Sequence, residues 1–466
     1  MTSAVVVGSG PNGLAAAVVL ARAGLDVTVL EAEDEIGGGT RSAELTVPGL
    51  VHDICSAAHP TGVASPFFRS LDLERHGLEW LWTDVEAAHP LSDGRAGVLF
   101  RDLERTASGL GVDGASWRRL YAPLVRDIDD LTSELFRPIL HVPRHPLLMA
   151  SFGTRAMQPA SWVARRWDTD EARGLFAGMA AHAMQPLGKP TTGALGMMFG
   201  AFGHSYGWPV AKGGSAAIAH ALAAEIVELG GTIETGHRVA ELPQADVVMF
   251  DTTPEQVLTI AGDRLPSRVA RPLRRWKRGP GAYKVDFAVQ GGVPWRHEHA
   301  RRAGTVHVGG TLEEVSASEG EVVAGRMPPN PFVLVCQQYL ADPSRSVGDV
   351  HPVWAYAHVP RGYDGDATET VISQIERFAP GFRDHIVATA VRTPADLEAH
   401  NANYRGGDIT GGALTPLQTV FRPRISPTPY SLGVKGLYLC SASTPPGGGV
   451  HGMGGFNAAT QAMSDL

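Results

Sequence analysis

Residues Ala4 to Val7 are a continuous apolar run, AVVV, that breaks at once into Gly8-Ser9-Gly10-Pro11-Asn12-Gly13. A short run of this kind reads as a buried strand, and the small-residue stretch LAAAVVLARAG after Gly13 reads as a helix. DVTVLEAE then supplies a second strand ending at Glu31. Strand, G-x-G-x-x-G, helix, strand and acid in register specify a βαβ unit that binds a dinucleotide. Gly8 permits the tight turn, Gly10 lets a pyrophosphate approach the backbone, and Gly13 lets the helix pack on the strand. The helix start, with Pro11 and Asn12, offers unsatisfied N–H groups and a positive dipole end to phosphates. Glu31, followed by Ala32, is placed to meet the adenosine ribose, where its charge repels a 2′-phosphate. The motif alone leaves open which dinucleotide is held.

At 466 residues the chain has room for two or more packed domains. Its 44% hydrophobic and 19% charged residues read as globular. A net charge of -8 argues against nucleic acid, whose phosphates call for clustered Lys and Arg. Cys55, Cys336 and Cys440 are odd in number and widely spaced, which predicts free thiols in a reducing compartment and no CxxC metal site. MTSAVVVGSG shows no basic, cleavable leader, so the expected location is the cytoplasm. The stretch from Thr191 to Ala211 lacks Asp, Glu, Lys and Arg, but its five glycines, His204 and Pro209 predict a close-packed segment beside a ligand rather than a membrane span.

Two more glycine clusters follow. Gly37-Gly38-Gly39-Thr40-Arg41 stands just after the ribose acid, and TPPGGGVHGMGGFNAA, from Thr444 to Ala459, places six glycines in sixteen residues. Glycine loses more conformational entropy on ordering than any other residue, so something must approach that backbone closely. Gly447 to Gly452 also spells G-x-G-x-x-G, yet only fourteen residues follow Gly452, too few for a second Rossmann unit.

On VVVGSGPNGLAAAVVLARAG, EAEDEIGGGTRS, PGLVHDICSAAHP, GWPVAKGGSAAIAHAL and GLYLCSASTPPGGGVHGMGGFNAA, the chain resembles the phytoene desaturase-like branch of the FAD-dependent amine oxidase and carotenoid desaturase superfamily. The resemblance covers nearly the whole chain. It implies an α/β fold, a Rossmann-type FAD-binding domain (1–61, 206–254 and 416–466) with an interleaved α+β substrate domain (62–205 and 255–415). It implies that Gly38, Gly39, Thr40 and Arg41 lie near the ribityl chain and pyrophosphate, and that Val239, at the end of a strand, meets the adenine through its backbone. Ser441 stands where many relatives carry an acid near the ribityl chain. Amides around Gly449, Val450 and Met453 would face the flavin pyrimidine edge, and the closing glycines would be needed because a Cβ pushes the ring away. One FAD and no nicotinamide domain imply reoxidation by oxygen, a quinone or another carrier rather than by NAD(P).

Hydride transfer to flavin N5 depends mainly on geometry, so few acids and bases are required. On the resemblance His59 and His451 are expected near the flavin ring and His182 on the cavity, each as a chemical group or as packing. Lys284, one of five lysines, stands either for the amine oxidase lysine that bridges water to N5 or for the solvated face of a half-buried strand, since Tyr283 to Gln290 alternates apolar residues with Lys284 and Asp286. Tyr206 and Trp208 read as cavity wall. No metal-ligand spacing is present, and Gly203 to Gly207 matches G-x-S-x-G without the strand-to-helix context of a nucleophile elbow. The run LTSELFRPILHVPRHPLLMASFG, bordered by Arg137, Arg144 and His145, reads either as a buried helix pair or as a peripheral membrane contact that admits a lipid.

The expected function is FAD-dependent dehydrogenation, or isomerisation through reduced flavin, of an apolar isoprenoid or acyl substrate. The alternatives are amine oxidase-like C–N oxidation, which needs an aromatic or acidic cage for an ammonium, and an FAD-stabilised binding or assembly protein with little turnover.

Overall fold

The computed structural model describes residues 2–466. The opening apolar run is the strand Ser3–Val7, the small-residue stretch is the helix Pro11–Arg22, and the second strand is Asp26–Leu30 with Glu31 just beyond it. A parallel five-stranded sheet forms in the order Leu437–Leu439, Val247–Phe250, Ser3–Val7, Asp26–Leu30, Thr232–Glu234. Parallel strands of this kind need both faces covered. Val6, Val27, Val29 and Val247 pack against the helices Pro11–Arg22, Ala216–Glu228 and Met453–Asp465. Val248 and Phe250 face the helices Pro254–Ala261 and Ser267–Arg274 instead. All five strands come from 1–61, 206–254 and 416–466.

The second sheet has seven strands in the order Ile386–Arg392, Gly281–Gln290, Val350–Val359, Val333–Cys336, Ala303–Val308, Val85–Pro90, Ala96–Leu99, all drawn from 62–205 and 255–415. Its neighbours are antiparallel except Ala303–Val308 against Val85–Pro90. The face carrying Leu334, Cys336, Trp354 and Tyr356 turns toward the helices Gly114–Arg126, Asp170–Ala181 and Thr192–Ser205. The last of these holds most of the uncharged stretch, and it packs as closely as its glycines suggest: a Cβ on Gly200 would stand 2.4 Å from the Tyr121 ring. Among the described residues no helix is long and apolar enough to cross a membrane. Ser205 ends that helix rather than topping a strand-to-helix elbow. The three cysteines are free and buried.

Three expectations of detail are corrected. Val239 belongs to the loop after Thr232–Glu234, not to that strand. Gly281–Gln290 is buried from Gly281 through Val289, so it has no solvated face. Tyr283, Val285, Phe287 and Val289 share an apolar layer with Val371 and Ile375, and Lys284 and Asp286, on the other face, meet each other and His52. The run from Leu131 to Gly153 forms the helices Ile128–Leu135 and Pro146–Ala156 with a joining segment, and this is not an ordinary buried pair, because Val142 and Leu147 are 90% and 86% exposed.

Candidate active site

One cavity of about 800 Å³ runs from the first glycine motif, past the closing turn, to the aromatic wall of the second sheet. At its nucleotide end the helix Pro11–Arg22 starts at Gly10; Pro11 has no N–H and the Gly13 amide is taken by Asp251, so the Asn12 amide is the one left for a ligand in the first turn. A Cβ on Gly13 would stand 2.1 Å from the Gly8 carbonyl oxygen, and one on Gly10 would stand 2.6 Å from Asp251 Oδ2. Glu31 is fixed at the cavity edge: Ser9 donates to Oε2 from its amide at 2.9 Å and its hydroxyl at 2.5 Å, and the Glu33 amide donates to Oε1 at 3.0 Å. Arg41 lies 3.5 Å from Oε1 and donates to the carbonyls of Glu35 and His400.

The cavity lining takes in Gly8, Gly10, Pro11, Asn12, Glu31, Ala32, Gly38, Gly39, Arg41, Val239, Ser441, Gly449 and Val450, so these expected contacts converge. Gly13, Thr40 and Met453 do not line it. The Gly13 amide donates to Asp251 Oδ2 at 2.9 Å, the Thr40 hydroxyl donates to the Gly37 carbonyl at 2.9 Å, and the Met453 amide donates to His451 Nδ1 at 3.0 Å. Met453 therefore has no amide to offer the flavin edge.

The closing glycines answer to protein neighbours. A Cβ on Gly455 would stand 1.8 Å from the Asn12 carbonyl oxygen, and one on Gly448 would stand 2.7 Å from the Thr410 carbonyl oxygen. The Gly454 amide also donates to Asn12 Oδ1 at 3.1 Å. The glycines thus let the last helix lie on the first one, and only Gly447, Gly448 and Gly449 also face the cavity.

The four expected chemical groups divide. His182 and His451 line the cavity, and His59 and Lys284 do not. His59 is tied through Nε2 to Ser215 Oγ at 2.8 Å and packs on Trp80. Lys284 is 2% exposed and is hydrogen-bonded to Asp286. Its Nζ lies 5.5 Å from the centre of the Trp354 ring, itself part of the cavity wall. Burial holds Lys284 below the ordinary lysine range against the pull of Asp286. Burial also lowers His59 and His451 to about 4, and Met453 N–H on Nδ1 leaves the proton of neutral His451 on Nε2. Trp208 is wall as expected, whereas Tyr206 is not: its hydroxyl donates to Asp129 at 2.9 Å near the surface.

Two lining residues escape sequence reasoning. Asp251 follows the strand Val247–Phe250, and its carboxyl is pushed up to about 7 by burial, with the Glu31 charge adding to the effect. The signal available for it was an acid at the carboxyl end of a strand beside the glycine turn. Arg422 is fully buried; its Nη1 donates to the Ala442 carbonyl at 2.8 Å, and Nε and Nη2 have no partner. Nothing local in FRPR marks it.

Comparison with known proteins accords with this geometry. Residues 6–72 match a family model described as an NAD(P)-binding Rossmann-like domain. The chain is 26% identical to the mouse pyridine nucleotide-disulfide oxidoreductase domain-containing protein 2, over 99% of this chain and 93% of that one. The resemblance to FAD-dependent oxidoreductases is borne out. Hydroxyneurosporene desaturase of Cereibacter sphaeroides is 28% identical over 72% of this chain and 71% of its own. Putrescine oxidase bound to putrescine has the same fold, with a TM-score of 0.62 at 19% identity over 100% of this chain and 98% of that one. The flavoprotein resemblance names FAD as the cofactor, and the cleft fits it on two observations of its own. The glycine turn, where side chains at Gly10 and Gly13 would collide with their neighbours, and the free Asn12 amide suit a pyrophosphate, and the cavity continues past the closing turn far enough to take a ring system.

Proposed function

We propose that this flavoprotein dehydrogenates, or isomerises, an apolar isoprenoid- or acyl-type substrate. One observation carries the reading: the substrate half of the cavity is walled by Met149, Phe152, Leu195, Phe199, Trp208 and Trp354. Bound FAD supplies hydride acceptance at N5. The wall's part is to exclude water and hold an apolar chain in register against the closing turn. An ammonium substrate finds aromatic faces here but no free counter-charge. Glu134 is the one carboxylate lining that half, and it is already held by His141 and by the His145 amide at 2.8 Å. The lysine that could favour amine chemistry is bound to Asp286 behind Trp354.

Oxygen or a quinone is the proposed electron acceptor. The described residues contain one βαβ dinucleotide unit, whose cleft opens toward the substrate half, and that supports a carrier other than NAD(P).

Anaerobic titration of the holoprotein tests the reading. Flavin absorbance is followed while a polyene, a long-chain acyl compound and an amine are added separately. Bleaching by the polyene or acyl compound is expected, and bleaching by the amine alone would sink the proposal.

A further inference from the structure

The far wall of the cavity carries buried imidazoles that flavin chemistry does not require. His182 follows the helix Asp170–Ala181, packs on Phe199 with ring centres 4.6 Å apart, and lines the cavity. Its Nε2 lies 3.2 Å from Nε2 of His307, which is fully buried in the strand Ala303–Val308. That contact is the one side-chain hydrogen bond His182 makes among the described residues, so Nδ1 is the ring nitrogen left for the cavity. His307 Nδ1 has no partner either. It lies 2.7 Å from where a Cβ on Gly178 would be, as does Nδ1 of His89.

A contact between two Nε2 atoms holds one proton, so the rings take complementary tautomers. If His307 keeps its proton on Nδ1, His182 donates from Nε2 and shows a bare Nδ1 to the cavity. If His307 donates from Nε2, His182 shows an Nδ1–H. Burial lowers His182 to about 3 and takes His307 well below its ordinary value, so both rings are neutral near pH 7. Glu319 is fully buried on His358 Nδ1 and does not line the cavity.

We infer that His182, coupled to His307, is a subsite for one neutral oxygen function, a hydroxyl above all, on an otherwise apolar substrate. A hydroxyl both donates and accepts, so it can satisfy either tautomer; a hydrocarbon satisfies neither, and an ammonium gains no counter-charge. Sites built to bond a hydroxyl discriminate strongly against analogues that lack it, because the protein's own polar atom is then left unpaired. The inference rests on the apolar reading of the cavity proposed above.

The test uses the FAD-loaded protein and three probes of equal chain length: dodecane, dodecan-1-ol and dodecylamine. Binding is read from perturbation of the flavin spectrum. Dodecan-1-ol is expected to bind roughly tenfold or more tighter than dodecane. His182→Phe should abolish the preference, bringing the alcohol to the level that the same variant shows for the alkane. His182→Gln, which keeps a hydrogen-bonding side chain, should retain part of the preference, and this guards against a mere packing effect. Equal binding of alcohol and alkane by the natural protein, or a preference that survives His182→Phe, overturns the subsite while the apolar cavity stands. Failure of both alcohol and alkane to bind, or tightest binding of the amine, overturns the proposed function and the subsite with it.

Discussion

A side chain at Gly455 has nowhere to go: its Cβ would meet the Asn12 carbonyl oxygen at 1.8 Å. Gly455→Ala should therefore lift the last helix off the first and empty the site of FAD, although Gly455 does not line the cavity. The flavin-to-protein ratio after purification is the readout, and an unchanged ratio would refute the role given to the closing glycines. Asp251 makes a prediction about pH. Its folded carboxyl is raised to about 7 from an ordinary 3.8, so the folded state holds the proton more tightly than the unfolded chain. Its contribution to stability is thus full below pH 3.8 and is lost as pH rises through about 7. Across that window FAD-free protein should lose stability relative to Asp251→Asn, whose amide keeps an acceptor for Gly13. Denaturant melts of both proteins at several pH values measure the difference, and parallel pH profiles would rule it out. At this scale the sequence displayed the groups whose partners are local, such as the glycine turn and Glu31. It hid Asp251 and His307, whose meaning comes from partners more than a hundred residues away.

Among the elements, the strand Gly281–Gln290 departs most from its sequence pattern. Alternation of apolar residues with Lys284 and Asp286 imitates a strand with one wet face, but packed protein covers both faces. The charges persist in the interior because they neutralise each other, with His52 Nδ1 3.4 Å from Asp286. Removing one member leaves the other buried and unpaired, which typically costs about 3–5 kcal/mol. Lys284→Met should show a loss of that order in urea unfolding, and adding Asp286→Leu should recover much of it. If Lys284→Met is neutral, the pair is not the strand's electrostatic anchor. The parallel strands were legible as continuous apolar runs, and the stretch from Thr191 was legible as close-packed, but not as the helix Thr192–Ser205. Alternation could not tell solvent from a second protein layer, and glycine enrichment at the closing turn could not tell a helix contact from a ligand contact.

In the molecule as a whole, the segment that walls the cavity also reaches its surface. Met149 and Phe152 face inward from the helix Pro146–Ala156, while Leu147 on that helix and Val142 just before it are exposed, on a segment that also carries Arg137, Arg144 and Arg155. We propose that this patch rests on an anionic membrane, the apolar residues entering the interface and the arginines meeting headgroups. Val142→Glu with Leu147→Glu should abolish co-flotation with phosphatidylserine vesicles and leave the melting temperature unchanged, because both side chains are exposed; undiminished flotation would exclude the patch. No local pattern says that residues 437–439 return to pair beside 247–250; only likeness to other chains implied that return. That return governs how the protein is made. The helix Met453–Asp465 seats on the helix Pro11–Arg22, so during translation the nucleotide cleft stays open until almost the whole described chain has left the ribosome. A chain that stopped short of that helix would lack the piece that closes the cleft, however complete its first glycine motif.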